Sequence, residues 1–219
     1  MTELWDFLHS PAAAAVFNMA LDEALLQTAA KRGRPLLRVY AWEKTSVSFG
    51  YFQKFPTQLA ERHDVVRRPT GGGVVYHIDD TTYTVVVPPG HALHAMKTSD
   101  AYSALHQAVA AAFQSPVEIH HAPLRSPQGQ YECFQKPVHG DVVADGRKLA
   151  GGAQRRTKSG MLHQGSIAAK LSADQIKRGF QKALVIEFED YELTDAEEAL
   201  AAKLVREKYA TDAWNRHLR

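Results

Sequence analysis

Apolar residues recur at helical spacing over residues 12–30, where Phe17, Leu21 and Leu25 step by four beside Val16, Ala20 and Ala24. That spacing predicts a helix with one buried stripe. Lys31 and Arg32 suit its carbonyl end, and Gly33 marks the stop. Extended runs follow: LLRVY (Leu36 to Tyr40), SVSFG (Ser46 to Gly50), and VVRRPTGGGVVYH as strand, glycine turn and strand. TYTVVVPPG (Thr82 to Gly90) is a further strand, closed by its Pro-Pro-Gly. Ser99 is expected to cap a second helix, with Tyr102, Leu105, Val109, Ala112 and Phe113 on its spacing until Pro116. VEIHH then resumes extended structure.

Residues 122–139 hold Pro123, Pro127, Gly129 and Pro137 and read as a long irregular loop, of the kind that is usually functional or mobile. DVVADGRKLAGGAQRR reads as a hairpin turning at Asp145-Gly146, and MLHQGSIAAKL as one more strand. Thr194 and Glu197 form a capping-box pattern that opens a helical tail toward Tyr209. No repeat, low-complexity tract or linker interrupts the chain. The expected architecture is therefore a single α+β domain over residues 1–219, its last stretch, 193–219, being a short helical extension.

The 219 residues are 45% hydrophobic and 23% charged, a globular balance that buries a core without disulfides. A net charge of +2 is too small for a dedicated nucleic-acid protein. One cysteine excludes an internal disulfide, and neither CxxC nor HExxH spacing occurs, so no metal site is expected. The N-terminal stretch lacks a basic n-region and no run approaches the ~20 apolar residues of a membrane helix. A soluble, cytoplasmic protein with no membrane partner is the expectation.

Three segments carry candidate chemistry. In Arg67-Arg68-Pro69-Thr70-Gly71-Gly72-Gly73-Val74-Val75-Tyr76-His77, three glycines between strands allow close backbone approach to a ligand, and two arginines suit phosphate or carboxylate. A hairpin tip with solvated arginines has the same pattern. No Gly-Lys-Ser/Thr follows, so this is not a Walker loop. In the second segment, strand alternation pairs Lys148 with Ala150 on one face and Arg147 with Leu149 on the other. Gly151-Gly152 then leaves room for a ligand or a bulge. Lys148 is either an exposed strand lysine or a local charge for an acyl carbonyl or phosphate. Third, Cys133 lies in a polar stretch, Gln130-Tyr131-Glu132 before it and Phe134-Gln135-Lys136-Pro137 after it. It is either a small buried hydrophobe or a nucleophile, and the second role needs a neighbouring cation such as Lys148, His139 or His163. His77 and His163 each adjoin a glycine-containing segment; backbone hydrogen bonding is the plainer role for both.

Taken together, NMALDEALL, LRVYAWEKTSVSFGYFQ, VVRRPTGGGVVYH, GRKLAGGAQRR, LHQGSI and the final Tyr209…Trp214-Asn215 resemble the lipoate–protein ligase and octanoyltransferase family, related in fold to biotin–protein ligases. The resemblance implies a biotin/lipoate-ligase-like catalytic domain of mixed sheets flanked by helices. It also implies that the glycine loop (Arg68, Gly71, Gly72, Gly73, His77) and the GRK strand (Lys148, Gly151, Ala153) enclose an acyl group and its activated carbonyl. In one octanoyltransferase group the acyl-accepting cysteine sits in a Cys-Phe pair shortly before Gly-Arg-Lys. Here Cys133-Phe134 precedes Lys148 by fifteen residues.

The transferase reading implies octanoyl acyl carrier protein as donor, a lipoyl-domain or H-type protein as acceptor, Cys133 as thioester carrier, and no cofactor. Arg147, Arg155, Arg156 and Lys158 would offer a basic rim to an acidic acceptor. The ligase reading implies lipoate, ATP and Mg, with Arg67 or Arg68 on the phosphate and Cys133 a bystander. Ile78-Asp79-Asp80-Thr81-Thr82-Tyr83 resembles the Asp-x-Thr-Tyr form of the transferases, and the large C-terminal accessory domain of the long ligases is not expected here, although some ligases receive it as a separate polypeptide. The unbroken Gly71-Gly72-Gly73 is typical of ligases. A non-catalytic acyl- or lipoyl-domain-binding protein is the remaining alternative; biotin ligation lacks its expected Gly-Arg-Gly-Arg loop.

Overall fold

The computed structural model describes residues 2–121 and 137–218. Cys133 lies outside them. Among the described residues, eight strands form one mixed sheet and three form a second.

The large sheet begins with β1 (Glu3–His9), an element that no alternation of polar and apolar residues announces in the sequence. Trp5, Asp6, Phe7 and Leu8 are all buried, because β1 is covered on both faces. A strand of that kind shows no polar alternation. Helix α1 (Ala15–Arg32) follows and ends at Gly33, whose N–H bonds the Ala29 carbonyl at 2.9 Å. It is buried on more than one stripe, since Asn18, Met19 and Asp22 join the apolar positions inside. Next come β2 (Leu36–Tyr40), β3 (Ser46–Phe49), the short helix α2 (Thr57–Ala60), β4 (Asp64–Arg67), β5 (Val74–His77) and β6 (Thr81–Val87).

The short helix α3 (Ala92–Ala95) precedes α4 (Thr98–Ala110), which ends well before Pro116. Its N-cap is Lys97 without a side-chain cap; the Ser99 hydroxyl donates instead to Asp100. The hairpin of β8 (Val142–Ala144) and β9 (Arg147–Thr157) turns at Asp145 and Gly146 with φ of 48° and 73°. Both central residues are left-handed there, as a tight type I′ turn requires. After β7 (Glu118–Ile119) and β10 (Gly160–Ile167), the sequence of the sheet is completed by α5 (Ala173–Leu184) and β11 (Ile186–Asp190), both unforeseen. The signal for α5 was present: Ser172 and Gln175 form a full capping box.

Strand order in the large sheet is β11-β1-β2-β6-β10-β9-β8-β7, parallel on either side of β1 and antiparallel from β2 onward. One face packs on α4 and α5 around Tyr83, Val85, Leu105 and Phe180; the other packs on α1 around Leu21, Leu25 and Val86. The small sheet has order β4-β3-β5. The expected hairpin through the glycine triplet is therefore not a hairpin: β4 and β5 flank β3 on opposite sides, and the loop between them crosses its end.

The C-terminal stretch opens with α6 (Asp195–Leu204), where Thr194 and Glu197 make the expected capping box. It continues through a π-helical turn (Val205–Tyr209) into α7 (Asp212–Asn215). These elements lie on α1, burying Ala201 and Tyr209, and the Tyr209 hydroxyl donates to Glu23. No helix among the described residues is long and apolar enough to cross a membrane.

Candidate active site

The loop from residue 68 to 73 is pinned to the end of β3 by backbone bonds. Arg68 N–H donates to Phe49 O at 2.8 Å, Tyr51 N–H to Thr70 O at 2.8 Å and Gly50 N–H to Gly73 O at 3.2 Å. A Cβ at Gly50 would lie 2.0 Å from the Gly72 carbonyl oxygen, so the two backbones meet where only glycine fits. Arg68 then turns back beneath the loop, donating to the Gly71 and Gly73 carbonyls at 3.0 and 2.9 Å and to Ser48 Oγ at 2.8 Å.

Beside this loop lies a cavity of about 460 Å³, including its open mouth. Met19, Tyr40, Trp42 and Val75 give it apolar walls. Ser48, Arg68 and His77 line one part, and Lys148, Gly151, Gly152 and Ala153 line another. Gly71, Gly72, Gly73 and His163 are not among its lining residues. The triplet shapes the cavity through Arg68 rather than facing it. His163 sits behind Gly152, whose Cβ would lie 2.6 Å from His163 Nε2, and it pairs with the Tyr83 hydroxyl at 3.0 Å.

Arg67 and Arg68 part company, as neighbours on a strand end must. The Arg67 guanidinium is buried and donates to the carbonyls of Tyr51 and Gln53 at 2.6 Å each, Asn215 at 2.8 Å and Trp214 at 3.1 Å. It fastens α7 to β4 and is absent from the cavity wall. The proposed basic rim is also dispersed. Arg155 donates to Pro69 O at 3.1 Å, whereas Arg156 caps α3 through the carbonyls of His94 and Met96 at 2.5 and 2.7 Å.

Lys148 reaches the cavity because β9 is irregular. Val142 pairs with Ala150 but Val143 with Lys148, so a register shift breaks the expected alternation. Ala150 goes to the core, while Lys148 lies against Gly151, where a Cβ would be 2.4 Å from its Nζ. Lys148 Nζ pairs with Asp141 Oδ2 at 2.8 Å. Asp141 also accepts from Val138 N–H at 2.8 Å and from the Tyr102 hydroxyl at 2.6 Å, and that hydroxyl accepts from Gly152 N–H at 3.0 Å.

His77 forms the other polar centre. Its Nε2 is 2.7 Å from Ser48 Oγ and its Nδ1 is 2.7 Å from Asp80 Oδ2, while the ring stacks on Trp42 at 3.9 Å. Asp80 Oδ2 also accepts from Ser166 at 2.7 Å and Thr82 at 3.0 Å. Burial pushes the His77 pKa down, and the bond to Asp80 only partly offsets this. Burial would raise Asp80, but its partners outweigh that and hold the carboxyl below its usual range. Beneath the cavity, Gln164 links Thr70 (2.7 Å) to Asp22 (2.7 Å), which is itself paired with buried Arg38 at 2.7 Å.

The sequence points to Lys148 and His77 as site residues and to Asp80 only as part of the Asp-x-Thr-Tyr motif, without a role; it gives no such pointer to Asp141, Ser48 or Asp22. Each is a polar residue inside or next to an apolar strand or helix pattern, and that mismatch was the available signal.

The family model for the lipoyl protein ligase A/B catalytic domain matches residues 14–199. Octanoyltransferase LipM of Halalkalibacterium halodurans is 31% identical over an alignment 273 positions long, spanning 97% of this chain and 99% of its own. The enzyme of the same name from Oceanobacillus iheyensis is 37% identical over 190 residues, 83% of this chain and 70% of its own. Among solved structures, a lipoate protein ligase from T. acidophilum with bound lipoic acid superposes with TM-score 0.78 at 23% identity, covering 100% of both chains. Lipoate-protein ligase A bound with ATP gives TM-score 0.76 at 23% identity, covering 100% of this chain and 99% of that one. The structures establish a shared fold, and the family match and the 31% relative establish descent: this chain belongs to the lipoyl protein ligase A/B catalytic domain family.

Proposed function

We propose that the chain is an octanoyltransferase that accepts an octanoyl group from acyl carrier protein on Cys133 and passes it to the target lysine of a lipoyl-domain or H-type protein. We read residues 1–219 as one catalytic domain, with 193–219 part of its body. The observation that carries the function is Lys148, held by Asp141 on the wall of a largely apolar cavity, in a chain whose relatives are named octanoyltransferases. A cation in such surroundings stabilises a thiolate or an oxyanion better than it would in water. Attack of the Cys133 thiolate on the donor thioester forms the acyl-enzyme and releases the carrier thiol. The lysine amine then attacks that thioester, the amide forms, and the thiolate leaves.

The uninterrupted Gly71-Gly72-Gly73 favours a second reading, an ATP- and Mg-dependent lipoate ligase. In it, Arg68 and Lys148 would meet the nucleotide phosphate. Arg68 is already engaged by Ser48 and by the Gly71 and Gly73 carbonyls, an arrangement that suits an acyl group better than a phosphate.

Intact-mass spectrometry after incubation with octanoyl acyl carrier protein, without ATP, tests the proposal. An octanoyl adduct that hydroxylamine removes, that Cys133→Ala abolishes and that a lipoyl domain accepts is the expected result. Modification only with lipoate and Mg-ATP makes the chain a ligase; an adduct with no turnover makes it an acyl-binding protein.

A further inference from the structure

The transfer step leaves a proton without a destination. The attacking lysine must lose one as its nitrogen bonds the carbonyl carbon, and Lys148, a cation, cannot take it. The cavity contains a second polar centre whose hydrogen positions are fixed by its neighbours.

Ser48 Oγ lies 2.8 Å from Arg68 Nη1 and 2.7 Å from His77 Nε2. The partners of Asp80 keep its carboxylate ionised, so it can only accept, and the ring proton is on Nδ1, where Asp80 Oδ2 accepts it at 2.7 Å. Burial favours the neutral ring, so Nε2 carries a lone pair and accepts the Ser48 proton, while the Ser48 oxygen accepts from Arg68. Ser166 and Thr82 hold that same carboxylate oxygen, and Trp42 fixes the ring plane by stacking. The result is hydroxyl, imidazole and carboxylate in a line, with every donor direction determined and with Ser48, His77 and Lys148 lining one cavity.

We propose that Ser48, His77 and Asp80 form a proton relay that receives the proton released when the acceptor lysine attacks the acyl-enzyme. This rests on the transferase reading and deepens it. As the N–C bond forms, the amine proton passes to Ser48 Oγ while the Ser48 proton passes to His77 Nε2. Collapse of the tetrahedral adduct breaks the C–S bond, the electron pair leaves on sulfur, and the relay returns its proton to the thiolate or to solvent. Ser48 is the group that touches the reacting nitrogen. His77 and Asp80 act through it, as positioning residues. Asp80 offsets the imidazolium charge in the intermediate, and Arg68, the other charged group acting on His77, opposes it and so returns the ring to neutral. Acylation of the cysteine by acyl carrier protein needs no such base once the thiolate exists.

The test separates the two half-reactions in Ser48→Ala, His77→Gln and Asp80→Asn of the full chain. Acyl-enzyme formation is followed by intact mass, and its discharge is followed with a lipoyl domain and, separately, with hydroxylamine. Hydroxylamine is a weak base that is already deprotonated near neutral pH and needs little help. The expected result, read on acyl-enzyme already formed, is that discharge to the lipoyl domain slows by about 10²-fold or more relative to discharge by hydroxylamine, within the usual contribution of a general base. The residual transfer should also rise with pH more steeply than in the wild type. Equal slowing of both discharges, or full transfer in Ser48→Ala and His77→Gln, overturns the relay. Should the two larger changes unfold the chain, Ser48→Ala alone decides, since it removes one oxygen. Absence of any wild-type adduct removes the transferase reading and the relay with it.

Discussion

Lys148 Nζ and Asp141 Oδ2 are 2.8 Å apart, and neither side chain is appreciably hydrated, at 6% and 0% exposure. Asp141 joins three things: the lysine, the backbone of Val138 just after the cysteine segment, and, through Tyr102, the backbone of Gly152. One carboxylate thus ties the cation to the backbone that leads into β8 and to the backbone of β9.

Removing one member of such a pair leaves an uncompensated buried charge, which costs about 3–5 kcal/mol. Asp141→Asn should lose stability on that scale together with acyl transfer. Adding Lys148→Met to it should recover part of the stability and none of the activity. Urea midpoints of the three variants check this; an Asp141→Asn protein as stable as the wild type contradicts the pairing.

Arg67 predicts the opposite profile. Its donors hold the carbonyls of Tyr51, Gln53, Trp214 and Asn215, and charged hydrogen bonds contribute about 1.5–3 kcal/mol each. Arg67→Ala should lower the unfolding midpoint and expose the chain beyond Tyr209 to limited proteolysis. A raised KM for the acyl donor at unchanged stability would instead give Arg67 a substrate role.

Gly50 and Gly151 separate backbone from side-chain effects. At Gly50 an added methyl meets the Gly72 carbonyl at 2.0 Å, so Gly50→Ala displaces the loop and loses stability along with activity. At Gly151 the methyl meets Lys148 Cε and Nζ at 2.3 and 2.4 Å, atoms at the end of a flexible chain. Gly151→Ala should keep the fold and lose acyl transfer by moving the ammonium. Thermal unfolding beside transfer rate distinguishes them.

Burial lowers His106 from 6.5 to about 4, with Asp141 and the Gly140 carbonyl opposing the shift. His163 and His77 are shifted the same way, mainly by burial. Between pH 6.5 and about 4 the unfolded chain binds a proton at His106 that the folded chain does not. Stability from this group is therefore complete above pH 6.5 and is lost as the pH falls toward 4, on the order of 3 kcal/mol in all. Urea unfolding from pH 7 to pH 5 should show the decline, and His106→Asn should flatten it. An unchanged slope in that variant excludes His106 as a source.

Much of the local structure was legible because its causes are local. The Thr194 and Glu197 capping box, the Asp145-Gly146 turn and the Gly33 stop each depend on residues within a few positions, and each forms as read. Strand β1 was missed because it is covered on both faces, which erases the alternation that marks a strand. Ser99 fails as a cap because the N-cap lies two residues earlier, at Lys97, which puts Ser99 inside the first turn.

By itself, the sequence determined the helices with clear ends, the strand-rich middle, and the residue types of the site: a lysine, a histidine and a glycine loop in family order. Tertiary structure decided what each does. Arg67 and Arg68 are adjacent and chemically identical, yet one bonds Asn215 from across the chain and the other holds the floor of the cavity. Their roles follow from strand order β4-β3-β5, which no local pattern encodes. Lys148 reaches the cavity only because the β8–β9 register shifts beside it. Asp80 and Asp141 gain their meaning from His77 and Lys148 through contacts made once the sheets have assembled. Short-range propensity acts along the chain, whereas charge pairing and close packing act through space, and the site is made of the second kind.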